Sequence, residues 1–262
     1  AEQIVEFVKD VEQLVLVGAK PPVTFFAYPG KPSWCTPEGA KILYLSHPHE
    51  DGRAALAAVA DAIGAPKDSA SPAALKRPDV PTEAFNAYTV GQIIARFLPE
   101  GAIISDEAAT SGAGAAMFTA NAPWHDHMSL TGGAIGQGVP VATGAAVAAP
   151  GRKVLALQGD GGGMYTLQAL WTQAREKLDV TTVIFANRSY AILNIELARV
   201  GAGNPGPKTL SMLDLHNPEL NWVSLDNGIG VEASRATSNA EFAAQFESAM
   251  NERGPRLIEV ML

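Results

Sequence analysis

The chain has 262 residues, 47% of them hydrophobic, which is enough to bury the core of one or two domains. It has 19 lysines and arginines against 27 aspartates and glutamates, a formal net charge of −8, and no basic run. A nucleic-acid groove and a patch that binds anionic membranes both need clustered positive charge, so we expect neither partner. A phosphorylated ligand would therefore need a metal ion and backbone amides to neutralise it.

Sequence features that report on cellular location favour a cytoplasmic protein. The single Cys35 cannot form an internal disulfide, which is typical of a reducing compartment. The first residues do not have the basic-then-apolar pattern of a signal peptide. Residues 128–151 are uncharged and long enough to span a bilayer, but they are rich in Gly, Ala and Thr and include Pro140. We therefore expect a buried, tightly packed helix there and no membrane span.

The first 65 residues contain too few elements for a complete domain. Residues 1–9 have apolar side chains at helical spacing, and residues 14–18 and 42–45 are apolar enough to be buried strands. An alanine-rich helix is predicted over residues 53–63. Two strands and two helices make only part of an α/β domain, so we expect residues 1–65 to be the end of a domain whose remainder is missing.

Residues 66–82 contain four prolines among Ser, Lys and Asp, which predicts an extended linker. An amphipathic helix over 88–98 follows, and then a short strand over 102–105 that ends at Asp106 and Glu107. These elements open the second domain, which we expect to span residues 83–262.

From residue 154 onward, strands alternate with helices. Residues 154–158, 180–186 and 256–262 are predicted strands, and the capping box from Ser238 to Glu241 opens a helix. Such alternation indicates a parallel sheet with helices on both faces. We therefore predict an α/β fold for this domain.

Polar residues follow two of these strands directly. The strand 154–158 leads into Gly159, Asp160 and three further glycines, and the strand 180–186 ends at Asn187. The carboxyl ends of parallel strands meet at one edge of a sheet, where α/β proteins bind their ligands. We therefore expect Asp160 and Asn187 to lie together.

This pair of side chains is suited to a hard cation. The carboxylate of Asp160, the amide oxygen of Asn187 and the backbone carbonyl of Ser189 would leave coordination positions open for phosphate oxygens, as Mg²⁺ prefers. Gly161 and Gly162 would begin a helix, whose free N–H groups favour a diphosphate.

Two nucleotide-binding motifs compete for the same glycines, and both fail. The dinucleotide fingerprint needs Gly or Ala where Met164 stands, and an acid where Asn187 ends the next strand. A phosphate-binding loop needs Lys followed by Ser or Thr after the glycines, and that pair is missing.

Gly159-Asp160-Gly161, followed by Asn187 after one strand–helix–strand crossover, resembles the diphosphate motif of thiamine-diphosphate-dependent enzymes. It is most similar to the group of 2-oxo-acid decarboxylases and acetolactate synthases, which includes benzoylformate decarboxylase. Residues 129–140 resemble the segment before that motif. The resemblance implies that the carbonyl of Gly133 receives the aminopyrimidine and that Ile135 supports the bent shape of the cofactor.

Residues 106–111 resemble a segment with further diphosphate contacts, which makes Thr110 a candidate. Tyr165, Ser189, Tyr190 and Ala191 match cofactor-side positions more loosely. The resemblance thus implies thiamine diphosphate and Mg²⁺ as cofactors. The residues expected to contact the cofactor are Thr110, Gly133, Ile135, Gly159, Asp160, Gly161, Gly162, Tyr165, Asn187, Ser189, Tyr190 and Ala191, and the metal ligands among them are Asp160, Asn187 and Ser189.

The resemblance also implies what lies outside this sequence. It covers residues 82–262 as the pyrophosphate-binding domain and residues 1–65 as the end of a middle domain. The family's pyrimidine-binding domain, which provides the activating glutamate, is not in the sequence, so no catalytic residue is assigned. We expect that domain as a partner, on another chain or in a missing segment, and a homodimer or homotetramer in the complete protein.

The activity implied is decarboxylation or carboligation of a 2-oxo acid. Two alternatives stay open: an oxalyl-CoA-type lyase of the same superfamily, and a catalytically incomplete cofactor-binding subunit or fragment. The pairs His47/His49 and His125/His127 lack a third ligand for a transition metal, so we expect both in solvated loops. Gln137 could cap a backbone group or face the substrate.

Overall fold

The structure is a computed structural model that describes residues 2–68 and 74–262. The chain divides into two compact units, residues 1–72 with 199–202 and residues 73–198 with 203–262. Part of the predicted linker, residues 69–73, lies outside the described residues. The predicted domain boundaries at 65 and 83 stay predictions.

The first unit has the four elements expected from the sequence. They are α1 (Glu2–Val8), β1 (Gln13–Val17), β2 (Lys41–Ser46) and α2 (Gly52–Ala62). The two strands pair in parallel, with Leu14 opposite Ile42. The side chain of Asp51 accepts a hydrogen bond from the N–H of Ala54, which starts α2. No residue of α2 is fully buried, so most apolar side chains of this helix remain accessible.

The second unit is built on a parallel sheet. Its strands in the described residues are β3 (Ala102–Glu107), β4 (His125–Ser129), β5 (Val154–Gly159), β6 (Val180–Ala186), β7 (Glu232–Ala236) and β8 (Arg256–Met261). They lie in the order β4-β3-β5-β6-β8-β7, and every neighbouring pair is parallel. This arrangement confirms the predicted fold class.

Helices cover both faces of this sheet. The helices described after β2 are α3 (Ala87–Phe97), α4 (Ala113–Thr119), α5 (Gly138–Ala148), α6 (Asp160–Gly163), α7 (Gln168–Glu176), α8 (Ala191–Arg199), α9 (Pro207–Leu213), α10 (Trp222–Gly228) and α11 (Asn239–Asn251). Among them α5, α10 and α11 pack directly on strands of the sheet. Successive residues of β5 divide between the two faces, as a strand requires. Leu155 packs in the cluster with α3 and α11, and Ala156 packs in the cluster with α5.

The strand register places the candidate site. Glu107 at the end of β3 pairs with Gln158 of β5, and Gly159 pairs with Phe185 of β6. The carboxyl ends of β3, β5 and β6 therefore lie side by side. The segments that follow them start from one edge of the sheet.

Several local expectations are wrong. Residues 128–151 hold the end of β4, a 3-10 turn at Thr131–Gly133 and α5, because the glycines at 132, 133 and 136 adopt positive φ and interrupt the helix. The glycines after β5 open only the single turn α6, and the longer helix α7 begins at Gln168.

Candidate functional site

A cavity of about 320 Å³ lies at the carboxyl ends of β3, β5 and β6. Most of the predicted cofactor residues line it: Thr110, Ile135, Gly159, Gly161, Gly162, Tyr165, Asn187, Ser189, Tyr190 and Ala191. Segments that are distant in the sequence thus meet where the parallel topology predicts a ligand site.

Asp160 stands between the lining residues Gly159 and Gly161 and is almost fully buried, with 3% of its surface exposed. Its Oδ1 accepts a hydrogen bond from the N–H of Gly161 at 2.8 Å, and its Oδ2 accepts one from the N–H of Arg188 at 2.6 Å. Burial raises the pKa of this carboxyl above its usual value, and the backbone hydrogen bonds partly oppose that shift. A buried carboxylate of this kind is stabilised by a nearby positive charge.

A tight turn after β6 holds Asn187 beside Asp160. Arg188 adopts a left-handed backbone conformation with φ of 53°, which turns its N–H toward Asp160. The Oδ1 of Asn187 accepts a hydrogen bond from the N–H of Ser189 at 3.0 Å. The hydroxyl of Ser189 donates to the carbonyl of Leu213 at 3.2 Å, which fixes the turn against α9.

Close approach explains the glycines of α6. A Cβ on Gly161 would lie 2.4 Å from Cε1 of Tyr190, and a Cβ on Gly162 would lie 2.7 Å from Nε2 of Gln158. A Cβ on Gly163 would lie 2.7 Å from Cη2 of Trp222. Each of these three positions therefore has to be small for packing, apart from any ligand.

Tyr190 covers Gly161 and forms one side of the cavity. The pKa of its hydroxyl is raised, first by burial and then by the nearby charges of Tyr165 and Asp160. Tyr190 is therefore a neutral hydrogen-bonding group at physiological pH.

Ile135 and Gly133 differ in where the structure places them. Ile135 is half-exposed and lines the cavity. Gly133 is exposed, is not among the lining residues, and its carbonyl accepts a hydrogen bond from the N–H of Ile135 at 3.1 Å. A carbonyl oxygen has two lone pairs, so this bond leaves the Gly133 carbonyl able to accept a second donor.

Glu107 is a lining residue that the sequence analysis did not single out. The residue is 3% exposed, and its carboxylate accepts hydrogen bonds from the backbone N–H groups of Gly136 and Gly138. The available signal was a charged residue at the end of an otherwise apolar buried strand. Ile192, Leu193 and Met212 also line the cavity and were not predicted.

The structure assigns contacts to side chains whose roles were left open. Gln137 donates a hydrogen bond to the carbonyl of Thr131 at 2.9 Å, so it caps a backbone group. His125 and His127 lie in β4, which corrects the expected loop, because their strand extends the sheet beside β3. His127 contacts Asp106 at 3.3 Å.

Transition-metal ligation finds no support in the described ranges. Within residues 2–68 and 74–262, no group of three or more His, Cys, Asp or Glu side chains could hold a metal ion. The other pair, His47 and His49, is exposed after β2, as expected for a solvated loop.

A larger cavity, of about 660 Å³, lies in the first unit. Its lining includes Trp34, Cys35 and Thr36 and none of the predicted cofactor residues. Volume alone therefore does not identify the site. The smaller cavity is the better candidate because polar groups from several strand ends converge on it.

The sequence of the second unit matches a known protein family. Residues 108–260 match the family described as thiamine pyrophosphate enzyme, C-terminal TPP binding domain. The chain belongs to the thiamine pyrophosphate enzyme family. The match includes the segments with Asp160 and Asn187, so the resemblance stated from the motif is confirmed at the level of the family.

Individual relatives agree with this membership. IlvX of Mycobacterium tuberculosis H37Rv, assigned as an acetolactate synthase large subunit, is 50% identical over 96% of this chain and 49% of its own length. Benzoylformate decarboxylase of Pseudomonas aeruginosa is 27% identical over 96% of this chain and 49% of its own length. The chain thus spans about half the length of these curated relatives.

A solved structure shares the fold. The thiamine diphosphate-dependent 4-hydroxybenzoylformate decarboxylase of Rhodococcus jostii RHA1 superposes with a TM-score of 0.77. The match has 23% sequence identity and covers 98% of this chain and 50% of that protein.

No helix within the described ranges is long and apolar enough to cross a bilayer. The uncharged stretch that raised this question contributes only the 11 residues of α5 to a helix.

Proposed function

We propose that this chain anchors thiamine diphosphate and Mg²⁺ in an enzyme that decarboxylates or ligates 2-oxo acids. One observation supports this most strongly. In a member of the thiamine pyrophosphate enzyme family, the buried Asp160 and the neighbouring Asn187 lie at the cavity on which the strand ends converge. The names of relatives, acetolactate synthase and benzoylformate decarboxylase, support the 2-oxo-acid class.

The donor atoms at the strand ends fit a magnesium ion. Asp160 supplies a carboxylate, Asn187 an amide oxygen, and Ser189 a backbone carbonyl, all of which are hard oxygen ligands. The two hydrogen bonds to Asp160 use one lone pair on each oxygen and leave others for a cation. The cation would also relieve the cost of burying this charge, a cost visible in the raised pKa.

The start of α6 fits a diphosphate. Gly161 and Gly162 line the cavity, and the N–H of Gly161 already donates to Asp160. The first N–H groups of a helix have no partner within that helix, so the N–H of Gly162 is the group that would meet a phosphate oxygen. Because α6 is a single turn, we attribute the attraction to this local N–H group and not to a helix dipole. Thr110, which is exposed and lines the cavity, would add a hydroxyl donor.

The apolar part of the cavity fits the organic part of the cofactor. Ile135, Tyr165 and Ala191 would hold the rings, and the Gly133 carbonyl would receive the aminopyrimidine. When bound, thiamine diphosphate supplies the nucleophile and the electron sink for cleaving the bond beside a keto group. The chain's own residues bind it, orient it and exclude water from one side.

A second domain or chain would complete this site. The chain spans about half of its curated relatives, and apolar side chains at the cavity remain exposed. Ile192 and Leu193 are nearly half-exposed and Met212 is 70% exposed. We propose that a pyrimidine-binding domain covers them, in a homodimer or homotetramer.

The half-length match also favours a second candidate function, a cofactor-binding piece that is inactive alone. On this reading the purified 262-residue chain turns over pyruvate and benzoylformate at the background rate. Release of CO₂ clearly above a no-protein control would contradict it.

Calorimetric titration of the chain with thiamine diphosphate tests the proposed function. We expect binding in the presence of Mg²⁺, weaker binding of thiamine monophosphate, and loss of binding when EDTA removes the metal. Equal affinity with and without EDTA, or equal affinity for the two phosphates, would contradict the assignment of Asp160 and the glycines.

A further inference from the structure

The loop that follows β4 is fixed by a residue outside the proposed set of cofactor contacts. We propose that Glu107 is a positioning residue, whose buried carboxylate holds residues 133–138 against the end of β3. It thereby sets where Ile135 and the Gly133 carbonyl meet the cofactor. The effect on cofactor binding rests on the proposed function, whereas the contact between Glu107 and the loop is independent of it.

Two charge-assisted hydrogen bonds support the proposal. One carboxylate oxygen of Glu107 accepts the N–H of Gly136 at 2.5 Å, and the other accepts the N–H of Gly138. Glu107 is 3% exposed, so water does not compete effectively for these bonds. Hydrogen bonds to an ionised, buried acceptor are the stronger class.

The loop needs such external contacts because its own backbone is permissive. Gly132, Gly133 and Gly136 have φ of 63°, 64° and 92°, a region that is accessible to glycine at little cost. A glycine-rich segment loses much conformational entropy when it is ordered. Two further bonds add to those of Glu107: Thr166 donates to the carbonyl of Gly136 at 2.7 Å, and Ser105 donates to that of Gly138 at 2.9 Å.

Packing brings the loop directly onto Glu107. A Cβ on Gly138 would lie 2.8 Å from Cβ of Glu107 and 2.6 Å from Oε1 of Gln158. Gln158 is 1% exposed, and neither atom of its side-chain amide has a hydrogen-bond partner. Gln158 therefore fills space beside the loop, and Glu107 supplies the side-chain acceptors for the two amides.

The position of the contact decides which part of the cofactor it affects. Ile135 lies directly before Gly136, one of the two residues that Glu107 binds. The proposed diphosphate site at Gly161 and Gly162 lies in a different segment. Glu107 packs against it, since a Cβ on Gly162 would lie 3.0 Å from Oε1 of Glu107, but forms no hydrogen bond with it, and Glu107→Gln keeps the size of the side chain. Loss of Glu107 should therefore weaken binding of the thiamine end and leave binding of the diphosphate end almost unchanged.

Glu107→Gln tests the loop contact without any ligand. The substitution preserves size, but it removes one acceptor and faces an NH₂ group against a backbone N–H. We expect hydrogen exchange of the amides in residues 133–138 to accelerate about tenfold, the effect of weakening a charge-assisted bond. Glu247→Gln, the same change on the exposed face of α11, should leave this segment unchanged.

Titration of the same variants with two ligands, each with Mg²⁺, tests the consequence. For Glu107→Gln we expect roughly tenfold weaker binding of thiamine diphosphate and less than about twofold change for inorganic pyrophosphate. Thr166→Val removes the donor to Gly136. It should accelerate hydrogen exchange in residues 133–138 and weaken binding of thiamine diphosphate, each by less than Glu107→Gln does. It also serves as the test if Glu107→Gln does not fold.

The outcomes separate the two proposals. Unchanged exchange in the loop, or equal loss of affinity for both ligands, would overturn the positioning role of Glu107. Wild-type protein that binds pyrophosphate and thiamine diphosphate equally well would contradict the proposed function, while the exchange experiment would still decide the loop contact.

Discussion

Two buried aspartates in the second unit show what distinguishes a ligand site from a buried charge. Asp160 is 3% exposed and Asp226, in α10, is fully buried. Burial raises the pKa of both carboxyls, and the charge of Glu259 raises both further. Asp160 accepts two backbone hydrogen bonds, whereas neither oxygen of Asp226 has a partner.

The surroundings account for this difference. Asp160 stands at the edge of the sheet, beside a cavity and next to Asn187. Asp226 follows the buried Trp222 by one helical turn, and its pKa is raised to about 7. A buried carboxyl with no donors favours its neutral form, while hydrogen bonds from backbone donors favour the charged form that a cation requires. A perturbed pKa therefore indicates a site only together with geometry.

The largest expected effect is on cofactor binding, when each carboxyl is replaced by an amide in a separate variant. Asp160→Asn should abolish Mg²⁺-dependent binding of thiamine diphosphate, because it removes the only charged ligand in the proposed set. Asp226→Asn is the matched control and should change the affinity by less than about twofold, since no residue of α10 lines the cavity, whereas Asp160 stands between the lining residues Gly159 and Gly161. Calorimetry in which both variants bind alike would remove the distinction between the two carboxyls.

The pH dependence of stability should show that Asp226 is protonated in the folded protein. Its folded-state pKa of about 7 exceeds the ordinary value of 3.8, so the folded protein retains a proton that the unfolded chain releases. The free energy of unfolding should therefore fall as the pH rises from about 4 to about 7, by at most about 4 kcal/mol.

The amide in Asp226→Asn does not titrate, so this variant should lack the decrease in the free energy of unfolding that Asp226 causes. Urea unfolding of both proteins at a pH of about 4.5 and of about 7.5 isolates this group, because all other groups titrate in both proteins. Identical pH dependence in the two proteins would show that Asp226 is not protonated in the folded state.

A smaller effect tests the packing between these two regions. Gly163→Ala would place a Cβ 2.7 Å from Trp222, which lies one turn before Asp226, and should cost about 1–3 kcal/mol of stability. Gly159→Ala is the control: its nearest neighbour would be 4.0 Å away, and its φ of −72° suits alanine. Thermal unfolding that ranks the two variants in the reverse order would contradict this packing.

The sequence was sufficient for β3, β5, β6 and β8 and for the meeting of Asp160 with Asn187, but it did not predict β4 and β7. Long apolar runs at residues 154–158 and 180–186 predict buried parallel strands, and parallel strands place their carboxyl ends together. The observed strand bounds lie close to the predicted ones: β6 spans Val180–Ala186, as predicted.

Other features depend on contacts between distant segments and were missed. The role of Glu107 requires knowing that residues 136–138 return to the end of β3. The strand β4 is polar, with His125 and His127 in it, and forms only because β3 offers a partner edge. Neither fact is encoded in local periodicity.

The most direct test of the central claim is where a divalent cation binds. Mn²⁺, added with thiamine diphosphate as a paramagnetic substitute for Mg²⁺, should broaden the NMR amide signals of Gly161, Asn187 and Ser189 and leave distant signals sharp. Asp160→Ala should abolish this broadening. Broadening centred elsewhere, or broadening that persists in Asp160→Ala, would contradict a cofactor site at the ends of β5 and β6.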